Sequence, residues 1–308
     1  MSAPTLNPNN SAIASPPRTL WGDAWRRFRR DKMAVLGAVV LGVIFAAVLI
    51  GPWIYTAPTS EIDFSRSMTP PSWEHPFGTN DLGQDQLARI LIGGRISLAV
   101  GVAAMAVAMS LGTAVGAISG FYGGWIDTLL MRATDLFLSL PQLPLLLLVM
   151  YLFRDTARAI AGPETGIFLL IVLVIGALNW MAVARLVRAN FLQLKEMDFV
   201  RAARSLGATP RRIIWVHILP NALSIVIVAA TLAVGTAIVT ESTLSFLGLG
   251  FPPDVPTWGQ MLFKAKDYIT QAPHLVLFPG LAIFLTVLSI NYIGDGLRDA
   301  LDPKTRGV

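Results

Sequence analysis

Six stretches of this chain contain no Asp, Glu, Lys or Arg: Met33–Tyr55, Ile96–Ile126, Leu136–Phe153, Thr165–Ala184, Ile218–Thr240 and Tyr268–Gly294. Crossing the ~30 Å hydrocarbon layer of a bilayer at about 1.5 Å per residue takes roughly 20 apolar residues. A charge at the middle of such a helix costs about 2.5–3.5 kcal/mol. Lipid offers no partner to backbone N–H and C=O groups, so a spanning segment of this length has to be helical. Only 14% of residues are charged and 54% are hydrophobic, whereas a soluble domain carries about a quarter charged residues. These features predict an all-α polytopic membrane protein with six transmembrane helices. The third stretch is short and contains Pro141 and Pro144, which predicts a kinked helix starting nearer Asp127.

The first stretch follows RRFRRDK (Arg26–Lys32). Its apolar core exceeds the 7–15 residues of a signal peptide, so it is expected to be a retained helix. Residues 1–32 are read as a largely disordered tail, with Ser2–Thr19 rich in Pro, Asn and Ser. Residues 33–55 are then the first span and 56–95 an outer loop. Residues 96–298 form a five-helix core with an inner loop at 196–216, and 299–308 a second tail. With six spans and the N-terminus inside, most of the 24 Lys and Arg residues fall on one face. They include Arg26, Arg27, Arg29, Arg30, Arg132, Arg185, Arg188, Arg201, Arg204, Arg211, Arg212 and Arg298. Acidic residues divide almost evenly, so the net charge of +5 reflects topology and gives no case for nucleic acid. Both termini are expected to be cytoplasmic.

Several chemistries are excluded. There is no cysteine, hence no disulfide and no thiolate metal site. No Gly-Lys dipeptide occurs, so no G-x-x-x-x-G-K-[ST] phosphate loop is present and no ATPase activity is expected. His75, His217 and His274 are too far apart to make a metal site credible. Asp135, near the inner end of the third span, is an intramembrane acid of the kind a proton-coupled transporter uses; a local pair with Arg132 is the plainer reading. Glu241, ending the fifth span, and Asn179 are candidates for a translocation path, although Glu241 would equally serve as a cap at the outer interface.

Two outer connections are long. In Thr56–Arg95 the segment Asp85–Ile92 has Leu87, Ile90 and Leu91 at helical spacing and is expected to lie along the interface. In Ser242–His274 the sequence GFPPDVPTWG cannot be a regular helix; it reads equally as a functional loop or as a structured cap. The one elaborated inner connection is VRAARSLGATPRRIIWVHILPN (Val200–Asn221). Asp198 precedes a helix start, where carboxylates suit the positive end of the dipole. Phe199, Ala202, Ala203 and Leu206 share one apolar face, and Gly207 stands where a left-handed C-cap is expected. Thr209-Pro210 is a restart signal, with the hydroxyl at the N-cap and proline at the first helical position. A DNA-reading helix–turn–helix needs a polar second helix. Here that helix is IIWVHI and continues into lipid.

This loop resembles the EAA motif of ABC-importer permeases: EAA, three residues, Gly, nine residues, then I-x-LP. The matching positions are Arg201-Ala202-Ala203, Gly207 and His217-Ile218-Leu219-Pro220. Arg201 stands in place of the acidic residue and His217 in place of Ile, changes familiar in the peptide/nickel branch. The chain is also similar to C-type subunits of dipeptide and oligopeptide importers through HPFGTNDLGQDQLARILIGGRISL, ESTLSFLGLGFPPDVPTWGQML and FPGLAIFLTVLSINYIGDGLRDALDPKTR. Asn80 and Gln84 occupy positions where Asp and Arg are more usual.

The resemblance implies an ABC type I importer permease of a bacterial inner membrane, without catalysis of its own. Its implied partners are a second homologous permease, two cytoplasmic subunits that bind ATP and Mg, an extracytoplasmic binding protein, and membrane lipid. It further implies that Asp198, Arg201, Ala202, Ala203, Arg204, Gly207, Arg211 and Arg212 couple the pore to the ATPases. Peptides lead as solute, with nickel complexes and glutathione as alternatives.

Overall fold

The computed structural model describes residues 20–301, so the expectations for Ser2–Thr19 and for the last residues of the C-terminal tail lie outside it. The described elements are α1 (Leu20–Phe28), α2 (Lys32–Ile54), α3 (Gln86–Tyr122), α4 (Gly124–Ser139), α5 (Gln142–Ala161), α6 (Thr165–Leu194), α7 (Asp198–Ser205), α8 (Pro210–Arg212), a π-helical stretch (Ile213–Ile218), α9 (Leu219–Phe246), α10 (Trp258–Ala265) and α11 (His274–Leu301), with 3-10 turns at Phe64–Arg66 and Lys266–Tyr268. Among the described residues there is no strand, only an isolated bridge between Thr79 and Asp85. Among the described residues, five helices are long and apolar enough to cross a membrane: Lys32–Ile54, Gln86–Tyr122, Thr165–Leu194, Pro210–Phe246 and His274–Leu301. The sixth expected span is the pair α4 and α5, bent by 85°.

That bend is sharper than a kink. Leu140 adopts an extended conformation (ψ 136°), as a residue before proline tends to, and Pro141 becomes the N-cap of α5. Pro144 falls in the first turn, where its missing N–H costs nothing.

Helix α3 begins ten residues before the predicted second span, so Gln86–Ile92 forms its first turns and is not a separate segment. Asp85 caps α3 by accepting a 2.8 Å bond from the Ala88 N–H. Ile90 is buried in a cluster with Val48, Leu98, Trp258 and Ile290, so apolar neighbours cover the face that lipid was expected to cover. The early cations do not stop the helix because carbonyls receive them. Arg89 donates to Thr59 O (2.9 Å) and Gln84 Oε1 (2.8 Å), and Arg95 donates to Val48 O (3.0 Å) and Leu49 O (2.7 Å). Near the N-terminus, residues 20–28 are helical, not irregular, with Arg26 paired to Asp23 at 3.2 Å.

The bundle is organised on α3 and α6. Gly112, Gly116 and Gly120 recur every fourth residue and so share one face of α3. Cβ atoms there would lie 2.5 Å from Val183 Cβ, 2.5 Å from Ala184 O and 2.7 Å from Phe191 Cβ, respectively. Only glycine permits an approach this close, and small residues at such spacing are a recurrent membrane-helix interface. The seam is closed at one end by Asp127 of α4, which accepts bidentate bonds of 2.5 and 2.6 Å from Arg188 and one from the Ser119 hydroxyl. Lys195 Nζ adds a 3.3 Å bond to Gly120 O.

At the opposite end the segment GFPPDVPTWG is a structured cap. Phe251, Val255 and Thr257 are buried, and Trp258 is 1% exposed. The indole Nε1 of Trp258 donates to Ile90 O at 3.0 Å.

Candidate coupling surface

The inner-loop residues singled out by sequence form a compact element at the Arg188 end of the bundle. Residue Met197 is extended (ψ 149°) and caps α7 without a side-chain bond; Asp198 opens the helix exposed. After Ser205, Leu206 is the C-cap and Gly207 takes φ 79°. The Gly207 N–H bonds Arg204 O at 3.0 Å and the Ala208 N–H bonds Ala203 O at 3.0 Å, a Schellman closure that matches the expected glycine C-cap. Thr209 then caps α8, its hydroxyl accepting from the Arg212 N–H at 3.4 Å with Pro210 in the first turn.

The face of α7 differs from the expected one. Val200, fully buried, and Ala203 point inward, and Val200 joins a cluster with Phe191, Ile213 and Ile218. Phe199, Ala202 and Leu206 point outward, with Leu206 88% exposed. The sequence grouped Ala203 with the outward residues and overlooked Val200. On a helix this short the apolar residues fit two neighbouring faces, and only the Phe191 pocket decides between them. Arg201, Arg204, Arg211 and Arg212 are all exposed around this apolar patch. Arg201 makes a 3.4 Å pair with the equally exposed Glu196.

The joint between α8 and α9 was not anticipated. Pro220 has no N–H and its ring crowds the carbonyl four residues back. The chain responds with the π-helical stretch, in which the Leu219 N–H bonds Ile214 O, five residues earlier. The Asn221 side chain donates a 2.6 Å bond to His217 O at the same joint. The proline within HILPN was the available signal.

The other predicted residues lie apart. Asp135 pairs with Arg185 of α6, not with Arg132. The bent α4 brings Asp135 to the neighbouring helix, so the local pair gives way to an interhelical one. Asn179 is half-buried beside the α4–α5 bend, donating to Ile175 O at 2.7 Å and accepting from Gln142 Nε2 at 3.4 Å. Glu241 lies within α9, inside the subunit and not at an exposed helix end. It is fully buried, accepting from Ser245 Oγ at 2.8 Å and Ser97 Oγ at 3.4 Å. Ser97 Oγ in turn accepts from the Trp258 N–H at 3.3 Å. The carboxylate thereby links α3, α9 and the start of α10.

Outside the spans, a second polar knot surrounds Asp85. Its Oδ2 takes bonds from the Tyr55 hydroxyl (2.6 Å) and His75 Nδ1 (2.8 Å). Burial, followed by the Asp85 carboxylate, pushes the Tyr55 hydroxyl up from its ordinary value. Residue Lys264 on α10 is shifted down, by burial first and then by the neighbouring Arg89 charge.

Two family models match the chain. The one described as "Binding-protein-dependent transport system inner membrane component" covers residues 112–307, and "N-terminal TM domain of oligopeptide transport permease C" covers residues 19–71. The glutathione transport system permease protein GsiD of Escherichia coli O6:K15:H31 (strain 536 / UPEC) is 41% identical over 292 residues, covering 94% of this chain and 92% of that protein. The dipeptide transport system permease protein DppC of Alkalihalophilus pseudofirmus is 40% identical over 286 residues, with 93% and 90% covered. Among solved structures, the inward-facing MetNI methionine ABC transporter matches with a TM-score of 0.54 at 20% identity, covering 68% of this chain and 94% of that one. That last likeness concerns the fold.

Proposed function

The chain belongs to the binding-protein-dependent transport system inner membrane components, and from that premise we propose that it forms one half of a peptide importer's pore, moved by cytoplasmic ATPases docked on α7. It is a multi-pass inner-membrane permease of an ABC importer, a family that works with ATPases and binding proteins. The finer composition proposed here is a second homologous permease, two ATP-binding subunits and one extracytoplasmic binding protein. ATP and Mg reside on the ATP-binding subunits. Following the distribution of Lys and Arg, the α7 end is cytoplasmic and the Trp258 end extracytoplasmic.

One observation carries the reading. The patch Phe199–Ala202–Leu206 is offered to solvent on a helix whose other side is fixed in the core by Val200. Burying a leucine stabilises by about 1.5–3 kcal/mol relative to exposing it, so a surface that holds Leu206 outward suits a partner's groove. Arg201, Arg204, Arg211 and Arg212 frame the patch for acidic residues on that partner, Ala202 permits close approach, and Asp198 and Gly207 define the ends of the element. Ala203 serves from beneath as a packing residue. Asn179, beside the α4–α5 bend, is the proposed polar contact on the solute's path.

Peptide as solute is supported by the likeness to the dipeptide permease; glutathione, itself a small peptide, is the alternative suggested by the other relatives. Purification of the tagged chain in mild detergent should bring down an ATPase, a second permease and, with solute present, a binding protein whose ligand can be identified. Solute uptake by the isolated chain in proton-loaded vesicles without ATP would instead establish a self-sufficient transporter.

A further inference from the structure

The end of the bundle remote from α7 holds two arginines that the coupling reading leaves unused. Leu146, Met150, Arg154 and Arg158 of α5 follow one another at four-residue intervals and share one helix face. Leu146 and Met150 are completely buried and belong to one cluster with Ile167 and Ile171 of α6. One turn further, the same face carries guanidinium groups. Leu152 and Ile160 are exposed on other faces, but Tyr151, three residues before Arg154, is exposed on the arginines' own side, so the two half-buried guanidiniums sit at the edge between the core and the open surface.

Few of their donors are used. Arg154 Nη1 donates a 3.1 Å bond to Gly248 O, in the turn that ends α9. Arg158 has the exposed Asp155 at 3.7 Å, beyond hydrogen-bonding distance. The Nε–H groups of both arginines are shielded from water and unpartnered. Each guanidinium offers five N–H donors, and two like charges one turn apart repel. A single anion between them would relieve both conditions. The paired planar forks suit a carboxylate.

We propose that Arg154 and Arg158 form a carboxylate-binding site at the extracytoplasmic end of α5, and that it receives the C-terminal carboxylate of the transported peptide. The assignment rests on the peptide-import reading above. A lipid phosphate held there would leave the KM for a free-acid peptide unchanged on Arg158→Gln. A carboxylate side chain from a partner subunit is the competing occupant, and the test separates it from a solute.

The complete importer, with both permeases, the ATPases and the binding protein, is reconstituted in proteoliposomes. It is supplied with trialanine or with trialanine amidated at its C-terminus. Wild type should import the free acid with the lower KM. Arg158→Gln should raise KM for the free acid about tenfold, the loss expected for one charge-assisted hydrogen bond of about 1.4 kcal/mol, while uptake of the amide stays unchanged. Arg158→Lys should restore part of the preference. Equal losses for acid and amide would overturn the proposal in favour of a contact with a partner subunit, and an unchanged KM for the acid would overturn it outright. If the wild-type complex imports neither form, the peptide reading itself fails before any variant is compared, and this site's assigned ligand falls with it.

Discussion

The side-chain amide of Asn80 donates a 2.8 Å hydrogen bond to Gln84 Oε1, and that same oxygen accepts a second 2.8 Å bond from Arg89. Asn80 Oδ1 completes the turn by accepting from the Gln84 N–H at 2.8 Å. The two positions at which the resemblance led to an expectation of Asp and Arg are therefore direct partners. The amide pair is neutral, and all three side chains are buried.

Gln84→Arg alone should place a second guanidinium against buried Arg89 and lower thermal stability in detergent by an amount matching about 3 kcal/mol or more, the scale for an unpaired buried charge. Adding Asn80→Asp should recover much of the loss. A double-mutant cycle on melting temperatures that shows simple additivity would contradict the coupling.

Gly116→Val should disrupt the bundle more than any change on the exposed faces of α4. Its Cβ would start 2.5 Å from Ala184 O and 2.8 Å from Val187 Cβ, and overpacking of this kind costs about 1–3 kcal/mol. The expected readout is loss of monodisperse protein in size-exclusion chromatography, with Ala at the same position intermediate.

Gly207→Val tests coupling without testing the fold. A Cβ there meets nothing within 4 Å, but φ is 79°, a conformation that costs a non-glycine residue about 1–2 kcal/mol and a β-branched one more. The α7–α8 turn should open while the spans remain intact. Melting temperature should fall only slightly, and solute-stimulated ATP hydrolysis by the assembled importer should drop by about tenfold or more. Normal uptake with normal stimulation would remove Gly207 from the coupling element.

Asp127→Asn should weaken the bidentate bond from Arg188. Hydrogen bonds to charged groups contribute about 1.5–3 kcal/mol each, so hydrogen exchange is expected to rise at Gly120–Asp127 and along the last turns of α6. Exchange confined to the α7 loop would show that the ion pair does not hold the seam.

Much of this architecture was readable in the chain because lipid imposes a simple test: a helix of sufficient length with no charge. The Gly207 cap and the Thr209-Pro210 restart were equally legible, since each depends on local backbone chemistry. Long-range relations were harder to see. Gly112, Gly116 and Gly120 stand at four-residue spacing, a pattern the sequence reading passed over, and nothing local names α6 as their partner. Pro141 announced a disturbance, but not the size of the 85° bend or the packing of Met150 against α6 beyond it. Charge misled in one place. Arg89 and Arg95 marked the second span as starting late, whereas carbonyls of Thr59, Val48 and Leu49 absorb both cations within a continuous helix.

The two chains of residues leaving α7 are mechanically unequal. Toward the N-terminus, α6 is seated on three glycines and bolted by Arg188 to Asp127. Toward the C-terminus, the route into α9 passes through the Ile213–Ile218 π stretch, where the wider winding leaves hydrogen bonds that can re-register by one residue. A load applied to α7 therefore meets a stiff leg and a compliant one.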